Sequence, residues 1–250
     1  MFVMAKKKTT TRRANEKDVF DLHNLQSKDW DLDFHIKKEF KLNPIQQEFF
    51  DTIINDTTYM SFVDGPAGSA KTYIAVLGAL RLLNEQKISS IVYIRTIVES
   101  ASRSMGALPG ELDEKFKPWS APLIDKLEEI ISPGVQDNLF NKGIIKCIPV
   151  NFTRGLTFRN SFVIIDEAQN MTVDELTTVL TRFGDGSKYV VIGDSLQSDI
   201  NGKSGFDRIK QRFTDEKCQD EGIFAYDFSE NEVVRSKILK FIVSKLADIT

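Results

Sequence analysis

An apolar run, Tyr59-Met60-Ser61-Phe62-Val63-Asp64, leads without interruption into Gly65-Pro66-Ala67-Gly68-Ser69-Ala70, and a helical pattern opens at Lys71-Thr72. A strand, a loop of small residues and a helix in that order turn several backbone N–H groups toward one point at a helix amino terminus, which suits a polyphosphate. The spacing is that of G-x-x-x-x-G-K-[ST], in which the lysine reaches the β- and γ-phosphates and the hydroxyl ligates Mg²⁺. Lys71 and Thr72 hold those places, and Gly65, Pro66, Ala67, Gly68, Ser69 and Ala70 form the cradle. Ala70 stands where the pattern has its last glycine, and its methyl crowds the loop if the backbone there needs a positive φ. An ordinary glycine-rich turn is the plainer reading of the loop, and the elements on either side weigh against it.

Those elements recur along the chain. Pro44–Asn55 reads as a helix with Ile45, Phe49, Phe50 and Ile53 on one stripe and proline in its first turn. Lys71–Asn84 is a second helix. Ser90–Arg95, Ile144–Val150, Ser161–Asp166 and Lys188–Asp194 are short apolar strands, with a further one at Ile223–Tyr226. A helix is expected near Pro122–Ile131 and another over Thr172–Phe183, where Thr172 and Glu175 have the spacing of a capping box. A closing amphipathic helix is expected over Glu232–Asp248. Continuous apolar strands alternating with helices predict a doubly wound α/β domain, a mainly parallel sheet covered by helices on both faces.

Two strand ends carry chemistry. Val163-Ile164-Ile165-Asp166-Glu167 delivers two carboxylates to the carboxyl edge of the sheet, where α/β sites lie. Asp166 would hold the Mg²⁺ shell and Glu167 would orient and deprotonate an attacking water. An acidic pair after a strand is by itself more often a helix cap; beside a phosphate loop it favours an NTPase. Val190-Val191-Ile192-Gly193-Asp194-Ser195-Leu196-Gln197 sends an amide past another strand end, where Gln197 could sense a γ-phosphate or place water, and Asp194 could equally cap the next segment.

Composition narrows the setting. The chain has 250 residues, 41% hydrophobic and 28% charged, enough for one large domain. No apolar run approaches the ~20 residues of a membrane span, and the start lacks a secretory signal, so a cytoplasmic protein that does not enter membranes is expected. Cys147 and Cys218 make neither a disulfide framework nor a zinc site. The net charge of −3 hides an asymmetry: residues 1–17 hold six basic groups and one acid, leaving −8 on the remainder. Residues 1–17 read as a basic flexible arm, 18–41 as a polar lead-in, and 42–250 as a single domain. An acidic body is not a general polyanion binder, so nucleic-acid affinity would come from the arm or a local patch.

Asp166-Glu167-Ala168-Gln169-Asn170, the phosphate loop and Gly193-Asp194-x-x-Gln197 together resemble the PhoH family of P-loop ATPases, related to superfamily-one helicases and carried also by bacteriophages. Arg95 after the second strand, Leu108-Pro109-Gly110, Arg154-Gly155-Leu156-Thr157, Leu180-Thr181-Arg182-Phe183-Gly184, Ser204-Gly205 and Val233-Val234-Arg235 fit the family's order over about residues 42–245. The departures are Ala70 for glycine, Leu156 for arginine and Ser195 for the usual proline. The resemblance implies a RecA-like core that binds and hydrolyses ATP with Mg²⁺, associates with RNA or single-stranded DNA, and has helicase-like activity. It also implies an adenine contact for Gln46, which amphipathicity alone would make a surface glutamine.

Related motors close two lobes around ATP, one supplying an arginine, and this length suits one lobe. The expectation is therefore a homo-oligomer, a closed hexameric ring with ATP between protomers and Arg235, Arg182 or Arg154 reaching across. Each of the three has an equally good reading as a surface or ion-pairing arginine. Arg95–Lys117 is the expected nucleic-acid segment, with Phe116, Trp119 and Phe152 as aromatics that could stack bases or sit in the core. A nucleotide-dependent scaffold with little turnover is the alternative, and a small-molecule kinase a weaker third.

Overall fold

The computed structural model describes residues 33–37, 41–96, 112–198, 200 and 202–233, and of residues 112–119 the backbone alone. The basic arm, most of the lead-in, the Leu108-Pro109-Gly110 turn and everything beyond Val233, Arg235 included, lie outside those residues.

Helix α1 (Pro44–Ile54) starts where Asn43 makes a capping box: its side chain accepts from the Gln46 N–H, and the Gln46 carboxamide oxygen accepts from the Asn43 N–H. Phe49, Phe50 and Ile53 are buried as expected, but Gln46 rather than Ile45 completes the inward face, and Gln46 is only 1% exposed. Strand β1 (Met60–Asp64) then feeds α2 (Lys71–Asn84), of whose 14 residues 11 are buried. That helix lies on β2, β4 and β5 and is flanked by α1 and α3, so it has almost no solvent face to make polar.

The remaining elements are β2 (Ser90–Arg95), α3 (Leu112–Ile130), α4 (Pro133–Asn141), β3 (Ile145–Pro149), β4 (Ser161–Ile165), α5 (Val173–Leu180), β5 (Lys188–Gly193), α6 (Phe206–Lys210), α7 (Glu216–Asp220) and β6 (Ile223–Asp227). Two expectations shift. Helix α3 begins at Leu112 and continues through Pro118 and Pro122, where a proline-led start at Pro122 was expected; α4 was not foreseen at all. Helix α5 carries the Thr172–Glu175 capping box but stops at Leu180, three residues short of the expected end.

The six strands run in the order β3-β2-β4-β5-β1-β6, and every neighbouring pair is parallel. All five residues of β4 are buried, and four of five in β1. Successive strand residues face opposite sides, so both faces of the sheet are covered. This is the expected α/β architecture, a parallel sheet covered on both faces. Strand β5 lies between β1 and β4. The phosphate loop, the Gly193-Asp194 turn and the Asp166-Glu167 pair therefore leave three adjacent strand ends at one edge.

Candidate active site

The loop after β1 turns beneath the segment that follows β6. Gly65 has φ +155°, and a side chain there would stand 2.7 Å from both Phe228 Cβ and the Phe228 carbonyl oxygen, so only glycine passes. Pro66 O accepts from Ser69 N–H at 3.3 Å and from Ser69 Oγ at 2.8 Å, closing the loop on itself. Ala70 then takes φ +66° and ψ 14°, the left-handed backbone that the missing glycine would have adopted freely. Helix α2 begins at the next residue.

Lys71 is 8% exposed, and its ammonium donates to the carbonyls of Gly65 and Pro66 (2.9 Å to the latter) and to Ser69 Oγ at 3.3 Å. Burial pushes its pKa down, and Asp194, Asp166, Asp64 and Glu167 oppose that. Thr72 Oγ1 donates to Asp166 Oδ1 at 3.2 Å, which joins the first turn of α2 to the end of β4. The other oxygen, Asp166 Oδ2, accepts from the hydroxyl of Tyr93 on β2 at 2.6 Å. Tyr93 is fully buried, and its phenol is raised well above its usual pKa, first by burial and then by the neighbouring Asp166, so it remains a donor.

Glu167 has φ +55° and keeps its carboxylate partly exposed on the same cavity. Its Oε2 accepts from Gln169 Nε2 at 2.7 Å, and its Oε1 lies 3.7 Å from the Arg95 guanidinium. Burial and then Asp166 raise its pKa; Arg95, the Gln169 bond and Lys71 work against the rise. Gln169 also accepts from Asp194 N–H at 3.0 Å, so one amide links the acidic pair to the β5 turn. Asp194 is buried and raised in pKa by that burial, and its Oδ2 has no hydrogen-bond partner among the described residues.

Lys71, Thr72, Asp166, Glu167, Gln169 and Asp194 line a cavity of about 340 Å³, together with Gln197 from the β5 turn and Lys126 and Glu129 from α3. Lys126 and Glu129 form an ion pair with each other. Ala67, Gly68, Ser69, Ala70, Lys71 and Thr72 form one wall of the cavity, and Gly65 and Pro66 shape the loop behind it. Among the described residues no group of three or more histidines, cysteines or carboxylates is arranged to hold a metal. The hydroxyl–carboxylate pair of Thr72 and Asp166 nevertheless fits Mg²⁺, which keeps several waters and is completed by phosphate oxygens rather than by a protein cage.

Gln46, Arg154 and Arg182 do not line the cavity. Gln46 donates from Nε2 to Ser69 O at 3.1 Å and to Glu232 O at 3.0 Å, so its amide protons are both used on backbone carbonyls. Arg154 is exposed in the turn after β3. Arg182 lies two residues past the end of α5, where its carbonyl accepts from the Phe158 N–H ahead of β4 and its side chain donates to Thr178 O and Thr181 Oγ1, each at 3.2 Å. Tyr93 and Lys126 escaped the sequence reading because a tyrosine in an apolar strand reads as core and a lysine on a charged helix reads as surface. Gln169 stood inside the acidic motif and could have been found there.

Residues 40–247 match the family model for PhoH-like proteins. The chain belongs to the PhoH family. The PhoH-like protein of Mycobacterium tuberculosis strain H37Rv is 35% identical over 203 residues, which cover 81% of this chain and 56% of that protein. The PhoH-like protein of Bacillus subtilis strain 168 is 38% identical over 181 residues, 72% of this chain and 55% of that one. This PhoH-like chain thus spans just over half the length of those relatives. Among solved structures, Bacteroides sp. Pif1 in complex with ADP-AlF4 aligns over 82% of this chain and 45% of its own, at 19% identity and a TM-score of 0.37. No helix among the described residues is long and apolar enough to cross a membrane.

Proposed function

We propose that this PhoH-like chain binds ATP with Mg²⁺ in the Lys71 cavity and hydrolyses it. The observation that carries the reading is the 3.2 Å bond between Thr72 on the phosphate loop's helix and Asp166 on β4, with Glu167 beside it on the same cavity. In this reading Lys71 exchanges loop carbonyls for phosphate oxygens. Thr72 and Asp166 hold Mg²⁺, which when bound neutralises charge on the β- and γ-phosphates. Glu167, oriented by Gln169 and Arg95, takes the proton of the attacking water, and Gln197 faces the γ-phosphate. Gln46 acts as the brace of the loop; donation from its Nε2 to an adenine would require breaking a bond to Ser69 or Glu232.

The cations that line the cavity among the described residues are Lys71 and Lys126, with no arginine. An arginine finger is worth on the order of 10³–10⁵ in rate, so a neighbouring subunit supplying Arg154, Arg182 or Arg235 completes the reading, in a hexameric ring. RNA or single-stranded DNA is the proposed partner. Arg95 ends β2, while exposed Arg154 and 52%-exposed Phe152 follow the adjacent β3, which puts basic and aromatic groups along one rim. The reaction class and a cytoplasmic setting complete the proposal.

Phosphate release measured with and without single-stranded RNA and DNA, across salt, alongside native mass with ATP, tests all parts. Stimulation that fades with salt and a mass of several subunits are expected. Full activity from a monomer, indifferent to nucleic acid, would overturn the motor. The left-handed Ala70 favours a second reading, an ATP-gated scaffold; wild-type turnover near background that Ala70→Gly leaves unchanged would select it.

A further inference from the structure

Asp64 is the last residue of β1 and the one before the phosphate loop. It pairs in register with Gly193 at the end of β5, where the ladder stops. Past that point the two strand ends are joined by side chain. Asp64 Oδ1 accepts the Ser195 N–H at 3.0 Å, and Asp64 Oδ2 accepts from the Ser195 hydroxyl. Asp207 Oδ1 also lies 2.6 Å from that hydroxyl. A serine has one hydroxyl proton, so it serves one carboxylate at a time, while the backbone bond to Asp64 persists in either state.

The clamp is compensated and braced. Lys210 of α6 is 3.7 Å from Asp64 Oδ2 and ion-paired to Asp227, which sits opposite Asp64 in the β6 register. The turn it grips is short: Leu196 N–H donates to Asp194 Oδ1 at 3.2 Å, Gln197 N–H to Asp194 O at 3.0 Å, and Asp194 N–H to Gln169. Gln197 therefore inherits its position from Asp194 and Ser195. On the other side, the residue after Asp64 is Gly65, whose carbonyl holds Lys71. A proline at 195 would have no N–H and could not make the 3.0 Å bond.

We propose that Asp64 and Ser195 form a positioning pair. They fix the Gln197 turn against the phosphate loop, so that Gln197 and the Lys71-bound phosphate keep a set separation during turnover. Neither touches nucleotide; both act through the turn. This rests on the ATPase reading above. Misplacement by 1 Å can cost about a hundredfold in rate, and losing the hydroxyl while the N–H bond remains should cost about tenfold.

The test measures kcat and the affinity for a fluorescent ATP analogue in wild type, Ser195→Ala, Ser195→Thr, Asp64→Asn, Gln197→Ala and the Ser195→Ala/Gln197→Ala double variant. Ser195→Ala should lower kcat about tenfold with affinity changed less than twofold, Ser195→Thr should restore the rate, and the double variant should be no slower than Gln197→Ala. Unchanged kcat in Ser195→Ala, parallel loss of affinity and rate, or additive effects in the double variant would overturn the clamp while leaving the ATPase intact. A wild type that binds no analogue would overturn the ATPase reading instead. In that case the Asp64→Asn/Ser195→Ala cycle in urea unfolding still judges the clamp, which predicts coupling and is contradicted by additivity.

Discussion

Ala70 and Glu167 line one cavity and both hold a left-handed backbone, with φ of +66° and +55°. Neither is glycine, so each stores strain of about 1–2 kcal/mol, on the two sides of the proposed reacting centre. Glycine at 70 would relieve it at some entropic cost in the unfolded chain. Ala70→Gly should therefore stabilise the protein by about 0.5–1 kcal/mol, raising the Tm by roughly 1–4 °C. Calorimetry reads this directly, and turnover should hold or rise.

Glu167 as a base works only when ionised, and burial beside Asp166 raises its pKa. Turnover should then fall on acidification at a pH above the ordinary Glu value of about 4.3. Arg95→Gln removes the cation that opposes the shift, so its acid limb should move to still higher pH. Glu167→Gln should lose about 10²–10⁴ in kcat while still binding ATP. Stability has the opposite sense. Between the unfolded and folded pKa the native state holds the extra proton, so stability falls as pH rises through that window. Glu167→Gln should lack that decline in a pH series of denaturant midpoints.

Tyr93→Phe deletes the donor on Asp166 Oδ2 and leaves a buried carboxylate oxygen without its partner. A loss of about 1–3 kcal/mol in stability is expected. The more telling readout is the Mg²⁺ concentration for half-maximal turnover, which should rise about tenfold or more, as for other partners of metal ligands.

Lys126 and Glu129 pair with each other at the cavity wall. If Lys126 turns to phosphate when ATP binds, Lys126→Ala should weaken ATP about 3–10-fold, more at low salt. Glu129→Gln should tighten it by freeing the ammonium. Titration of both variants at two ionic strengths checks the pair of signs.

Local pattern carried most of the fold. Runs such as Val163-Ile164-Ile165 and Val190-Val191-Ile192 mark strands buried on both faces, and the Thr172–Glu175 box marks a helix start. The helix expected near Pro122–Ile131 begins ten residues earlier, at Leu112, because the backbone passes through Pro118 and Pro122 as helix. In the site, Lys71, Thr72, Asp166 and Glu167 were legible because each follows its strand by a fixed offset. Their supports were not: Tyr93, Lys126 and the Asp64–Ser195 clamp come from separate elements that only the strand order brings together. Gln46 shows the same limit, since its burial depends on Ser69 and Glu232, 23 and 186 residues away.

The central claim is that a magnesium-bound triphosphate sits against Lys71. Calorimetric titration of ATP with Mg²⁺ into wild type and Lys71→Ala, repeated with EDTA, addresses it most directly. One site per chain is expected, with affinity lowered at least tenfold by either the substitution or the chelator; equal binding by wild type and Lys71→Ala, or none by wild type, would contradict it.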